Sequence, residues 1–288
     1  MWLRKAICHL LPIICTVWFL SIGIEPAHAI VSAGYDGINK YSHILYPNCL
    51  YGNRAGATYV SNLNQELVYY NAASALFLYQ DSNAWESDLW ASYAGAASAE
   101  DVNFFAFSGH GFRYDYYPVL NGASCHFYVK NGGEPWHSSS EEGLQEVNAT
   151  WNEIRWGHGT NKWASFYSCN WLTNGNIWSN YEKICRMFEG LHLMTGFASI
   201  MYLDSREGTT YGFNLAYYGQ TFKNAWFNAA SYWQTQRTEG DSIARVQGAK
   251  SCINDTIYSW SAGPVWYIYN PDGYSAWSLT IPHDGQPK

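Results

Sequence analysis

Short apolar runs alternate along this chain with stretches whose apolar residues recur every three or four positions. Ala75–Tyr79, Val102–Phe107, Trp163–Tyr167, Leu191–Phe197 and Ile243–Gly248 are runs of strand length. Between them, Thr58–Tyr70 places Tyr59, Val60, Leu63, Leu67 and Tyr70 on one helical face. Trp151–Trp156 reads as a short helix, and Trp178–Phe188 as a longer one ending at Gly190. Phe222, Ala225, Trp226, Ala229, Ala230 and Trp233 form a clean helical stripe with Thr221 as its N-cap. Residues 112–145 carry Gly, Pro, Ser and aromatic clusters without a period, as loops or a small β excursion do. The last forty residues are aromatic-rich and turn-rich, and periodicity assigns them no element. Strands alternating with helices predict an α/β fold with a mostly parallel sheet and helices on both faces.

The first residues follow a different pattern. Arg4 and Lys5 precede an apolar run over Ala6–Ile24, and Ala27-His28-Ala29 closes it. A basic start, an apolar middle and a small-x-small end predict a signal peptide over residues 1–29 and a secreted protein. A membrane-anchoring helix is the competing reading of the same run; with cleavage, no membrane association is expected. Residues 30–288 then form a single domain, with an aromatic-rich C-terminal extension over about 253–288.

Cleavage also changes the cysteine count. Of 7 cysteines, Cys8 and Cys15 leave with the peptide. Cys49, Cys125, Cys169, Cys185 and Cys252 remain, an odd set in an oxidising compartment, so two disulfides and one spare thiol can form. If Cys169 is the spare one, the other four allow three pairings, and sequence does not choose among them.

Only 14 % of residues are charged and the formal net charge is -7, which argues against a nucleic-acid partner. The 15 Trp and 24 Tyr raise the idea of a sugar-binding surface, but Trp163, Trp226, Trp233 and Tyr79 fall in strands and helical stripes, where they belong to the core. There is no HExxH, CxxC pair, EF-hand loop, Walker A or GxGxxG motif, so no metal and no cofactor is expected. Two sequons, at Asn148 and Asn254, are acceptors only in a eukaryotic secretory pathway.

The candidate chemistry lies where two strands end. Val102–Phe107 runs into Ser108-Gly109-His110-Gly111, and Trp163–Tyr167 runs into Ser168-Cys169-Asn170. The carboxyl ends of parallel strands form one edge, where ligands bind. Neighbouring strands would therefore set His110 beside Cys169, and an imidazole beside a thiol is the unit of thiol nucleophile catalysis. The glycines around His110 let a substrate backbone approach, and the Gly111 N–H is placed to help hold an oxyanion.

The segments FFAFSGHG and WASFYSC resemble the caspase-like, or clan CD, cysteine peptidases, in which one apolar strand ends in His-Gly and a later one ends in the nucleophilic Cys. The set AWESDLW, DVNFFAFSGHG, KWASFYSCNWL, GLHLMTGFAS and TFKNAW is also similar to an uncharacterised, mostly microbial family of unknown function. The resemblance covers roughly residues 55–250. It implies a three-layer caspase-like (caspase-hemoglobinase) fold and a secreted thiol protease or related amide hydrolase acting on a peptide or protein. His110 and Cys169 would be the catalytic dyad, and the Gly111 and Cys169 N–H groups the oxyanion hole. Ser168 before Cys169 and bulky Trp171 after it depart from the usual small residues, which motivates the alternative of a catalytically silent scaffold that binds a partner. A carbohydrate-binding module is the third reading.

Other residues carry weaker expectations. Asp204 and Glu207 follow the Leu191–Phe197 strand and would favour a basic substrate residue if they face the cleft; Trp171 would line it. Glu86 and Asp88 read as solvated or helix-start acids with an orienting or substrate-binding role as the alternative. His158, in a second Gly-His-Gly, reads as a turn residue, and His192 as a satisfied core histidine.

Overall fold

The computed structural model describes residues 30–39, 55–84, 86–89, 97–113, 123–126, 148–150, 154–173, 184–237, 240–264 and 266–284. The expected signal peptide, Cys49 and most of the 178–188 helix lie outside them; within that helix, residues 184–186 are helical.

Seven strands form one sheet in the order β10-β9-β8-β7-β3-β1-β2. They are β1 (Val31–Gly37), β2 (Ala73–Gln80), β3 (Phe104–Ser108), β7 (Trp163–Tyr167), β8 (Leu193–Phe197), β9 (Ser242–Ala249) and β10 (Tyr274–Ile281). From β2 to β8 all neighbours pair in parallel; β9 is antiparallel to β8, and β10 to β9. A small antiparallel sheet of β4 (Gly111–Arg113), β5 (Ala123–His126) and β6 (Asn148–Thr150) stands apart. The helices are α1 (Gly56–Tyr69), α2 (Arg206–Ala216) and α3 (Phe222–Trp233).

Each element has a local reason. The central strands are wholly buried and mostly apolar because both faces are covered, as parallel sheets require. On α3 the expected stripe Phe222, Ala225, Trp226, Ala229, Ala230 and Trp233 is the buried set, and the Thr221 side chain accepts a hydrogen bond from the Asn224 N–H. These three helices cover one sheet face: Tyr59 of α1 stacks on Tyr167 at 3.9 Å, Tyr211 of α2 bonds Ser165, and the Trp226 indole of α3 donates to the Gly196 carbonyl. The opposite face packs Trp156 and Trp171 against Phe166, with Phe105 beside Trp156. Four tryptophans (Trp156, Trp163, Trp171 and Trp226) are fully buried. Truncating any one to Ala should cost about 3–5 kcal/mol, so much of the aromatic excess is core.

Three sequence expectations need correction. Of the short helix read over Trp151–Trp156, residues 151–153 lie outside the described residues, and residues 154–156 are not helical: Trp156 makes a strand-like bridge to Phe188. Helix α2 was not expected, because Gly208 and Gly212 interrupt its pattern; the would-be Cβ positions of both lie within 3.2 Å of α1 atoms, the Tyr59 and Leu63 carbonyl oxygens among them, so the two helices approach backbone to backbone. The aromatic-rich C-terminus is less an extension than the closing strand of the sheet, since β10 pairs with β9 along its whole length.

Candidate active site at the carboxyl edge of the sheet

In an open α/β sheet the ligand crevice lies beyond the carboxyl ends of strands where the strand order reverses. Here the chain leaves β1 for β2 on one side and returns to β3 on the other, so the reversal lies between β1 and β3. The residues just past β3 are Gly109, His110 and Gly111.

β3 and β7 pair directly, with Ser108 opposite Tyr167. His110 and Cys169 each stand two residues past those partners, at the same level of adjacent chain segments. The contact continues past the strands: the Gly109 N–H donates to the Tyr167 carbonyl at 3.4 Å. A Cβ on Gly111 would fall 2.2 Å from the Cys169 carbonyl oxygen and 2.8 Å from the Ser168 Cβ. Gly111 is thus glycine because the Cys169 backbone presses on it, a more immediate reason than room for a substrate.

Cys169 is a free thiol, partly exposed. Asn170 follows it at φ 56°, a left-handed turn that asparagine tolerates better than most residues. The Asn170 N–H donates to the Ser199 carbonyl, and the Leu172 N–H to the Phe197 carbonyl, tying this turn to the end of β8. The Met201 N–H donates to Cys169 Sγ at 3.4 Å. Burial pushes the thiol pKa up; the Met201 N–H, the charge of Arg237 and its own N–H pull it back. Burial lowers the His110 imidazole to about 4. At neutral pH the two groups are therefore a neutral imidazole and a protonated thiol rather than an ion pair.

Behind Cys169 lies a sealed polar network. The Tyr167 hydroxyl donates toward the Tyr202 and Asp204 carbonyls and Glu207 Oε2, and accepts the Asp204 N–H. Gln234 Nε2 donates to Glu207 Oε2 at 2.6 Å and to the Tyr202 carbonyl. Glu207 is fully buried, and burial raises its pKa to about 8. It is no acid facing a cleft, but a support for the strand that carries Cys169. Asp204 is buried against Arg206, 2.6 Å away, which holds its carboxyl below the usual range despite burial; its charge is matched internally. Trp171 does not line the cleft either: it is fully buried, stacked on Phe166 at 4.2 Å, with its indole donating to Met194 Sδ.

Sequence reading overlooked Asp36 and undervalued Asp88. Asp36 is the penultimate residue of β1, in register with Phe107 of β3, and fully buried. Neither of its carboxylate oxygens has a hydrogen-bond partner among the described residues. Burial, then the nearby charge of Asp88, pushes its carboxyl well up. Asp88, read as a solvated acid, is itself 4 % exposed. An Asp inside the apolar run Val31–Gly37 was the available signal, masked because the run follows the expected leader. The side chain of Glu86 lies outside the described set.

The second Gly-His-Gly sits at the opposite edge, before β7. The Glu100 carboxylate accepts the N–H groups of Gly157 and Gly159, and His158 pairs with Glu189 at 2.9 Å. It is a turn, as expected. Among the described residues Cys169 and Cys252 are free thiols, and no helix is long and apolar enough to cross a membrane.

A family described as a domain of unknown function, DUF6345, matches residues 35–278. The match begins inside β1 and ends inside β10, so it takes in five strands of the seven-stranded sheet whole and the two others in part. No curated protein matches the chain.

Proposed function

This chain belongs to the DUF6345 family of unknown function, and we propose that it is a cysteine-type amide hydrolase of caspase-like fold, with Cys169 as nucleophile and His110 as general base. The observation that carries this reading is the juxtaposition of Gly111 and Cys169: backbone contact at 2.2 Å from a would-be Cβ holds the two strand ends side by side. The mostly parallel sheet, with its order reversing beside His110, supports the fold. The burial of Trp171 removes the bulky obstruction that argued for a silent scaffold.

In this mechanism His110 takes the proton from Cys169 Sγ as the sulfur attacks a substrate carbonyl. The new C–S bond forms, the carbonyl π pair moves to oxygen, and the Gly111 and Cys169 N–H groups receive that oxyanion. The C–N bond then breaks as His110 returns its proton to the departing amine. A water, deprotonated by His110, hydrolyses the thioester and restores the thiol. The low imidazole pKa fits a base that is already neutral well below pH 7. Met201 N–H, which already donates to Sγ, stabilises the thiolate as it forms.

The substrate class is a peptide or protein, and the setting is extracellular after removal of residues 1–29. The test is turnover of a fluorogenic peptide library by the full chain, by Cys169→Ala and by His110→Ala. Turnover by the parent chain that both variants lose supports the reading. Turnover unchanged in Cys169→Ala overturns it, and a wild-type chain that binds peptides without cleaving them supports the silent scaffold instead.

A further inference from the structure

The amino edge of the sheet holds a second His–Cys grouping that the proposed hydrolase does not use. His192 precedes β8; Cys252 and Asp255 lie in the turn after β9, which ends at the same edge. All three are at most 1 % exposed, and one ligand atom from each lies within 4.8 Å of the others. His192 Nδ1 meets Asp255 Oδ2 at 2.6 Å. Asp255 Oδ2 also accepts the Trp163 indole N–H at 3.1 Å, and Oδ1 accepts the Ser261 N–H at 2.9 Å.

Two features of this group lack an explanation from packing alone. His192 Nε2 is buried with no hydrogen-bond partner among the described residues. Cys252 is a buried free thiol facing an acid and an imidazole rather than apolar carbons alone. A thiol, an imidazole and a carboxylate in a dry pocket are the donor set of a borderline-soft cation of tetrahedral preference.

We propose that His192, Cys252 and Asp255 bind a structural zinc-class divalent ion that fastens the 250–261 turn to the sheet. Ligands of tetrahedral zinc lie about 3.5 Å apart, given metal–ligand bonds of about 2.0–2.3 Å. The His192–Asp255 pair, at 2.6 Å, would open by about an ångström as its shared proton gives way to the ion, and the Cys252 thiol would approach by little more than an ångström, shifts within reach of side-chain rotation. Ser251 Oγ, 3.7 Å from Cys252 Sγ, is an oxygen at hand for the fourth position. The Trp163 and Ser261 N–H groups hold the carboxylate in place, as outer partners orient a metal ligand. Trp163 stacks on Phe222 and meets Trp260 edge-on, which excludes solvent and suits a closed structural site. The residues belong to a different edge from Cys169, so this inference stands or falls apart from the hydrolase reading.

Cobalt(II) chloride titrated into the chelator-treated full chain tests it, with native mass spectrometry of zinc-loaded protein as the second measurement. The expected result is one ion per chain and a near-ultraviolet thiolate-to-cobalt band. Cys252→Ser should lose that band; Cys185→Ser, which changes another buried cysteine, should keep it. His192→Gln should weaken zinc binding at least 10-fold, and zinc should raise the melting temperature of the parent chain only. A parent chain that takes up neither ion, or a band that persists in Cys252→Ser, overturns the proposal. Should Cys252→Ser not fold, the parent-chain stoichiometry and the Asp255→Asn titration decide alone.

Discussion

The two edges of one sheet each hold a histidine and a cysteine, and they differ in what surrounds them. At the carboxyl edge His110 and Cys169 are partly exposed, on turns that follow parallel strands. At the amino edge His192 and Cys252 are sealed beneath Trp163, Phe222 and Trp260. The same two residue types therefore have opposite prospects. A thiol at an open strand end can meet a substrate, whereas one in a dry pocket can meet only its neighbours or an ion. The lesson is that access and backbone placement, not residue identity, separate a reactive His–Cys pair from a structural one.

The largest expected effect separates the edges by turnover. If the carboxyl edge is catalytic, Cys169→Ala lowers kcat by at least about 10³-fold. His110→Ala does nearly the same, and the double variant is no worse than either alone, because the two act as a unit. Steady-state kinetics on the same fluorogenic peptide check this.

Chemical reactivity gives the next contrast. Iodoacetamide should label Cys169 at least about 10-fold faster than Cys185 or Cys252 in the native chain, since only Cys169 is partly exposed. Peptide mapping of a time course reads the three rates. Equal rates would erase the difference between the edges.

Two glycine substitutions compare the edges as structure. Gly157→Ala combines φ 107° with a Cβ placed 2.1 Å from the Leu191 N, and should cost roughly 2–4 kcal/mol. Gly111→Ala should cost roughly 1–3 kcal/mol and also cut turnover, by moving Cys169. Urea denaturation with parallel kinetics distinguishes them: Gly157→Ala should lower stability with kcat intact.

The pH dependence of stability is the subtler probe of the carboxyl edge. Glu207 carries a folded pKa of about 8, well above its unfolded value, so its folded form holds a proton the unfolded chain has lost. Its contribution is therefore full at low pH and is lost as pH rises toward 8. His110, lowered to about 4, acts in the opposite direction: its contribution is present above the unfolded imidazole pKa and is lost as pH falls toward 4. Chemical denaturation across pH 4–9 should give a maximum between these flanks, and Glu207→Gln should flatten the alkaline one. A slope unchanged in Glu207→Gln would contradict the buried protonated carboxyl. Smallest of all, Asn170→Gly should change stability by only a few tenths of a kcal/mol, because glycine accepts φ 56° as readily.

The alternation of apolar runs with helical stripes was enough to assign the α/β class, β2, β3, β7, β8, β9, α1 and α3, because strand and helix periods are local properties of the chain. The same runs marked His110 and Cys169 as strand-end residues. What sequence could not assign depends on distant partners. β1 and its Asp36 count as a central strand only once β2 and β3 flank it. Glu207 became a buried support rather than a cleft acid because α2, broken in pattern by two glycines, folds against α1. Trp171 turned inward because Phe166 and Met194 left it a place to stack and a sulfur to meet. The Cys252–Asp255 turn met His192 only because β9 runs antiparallel to β8 and ends beside the start of that strand. Local periodicity decided the elements, and the pairing of strands distant in sequence decided which titratable side chains share an edge and which of them water can reach.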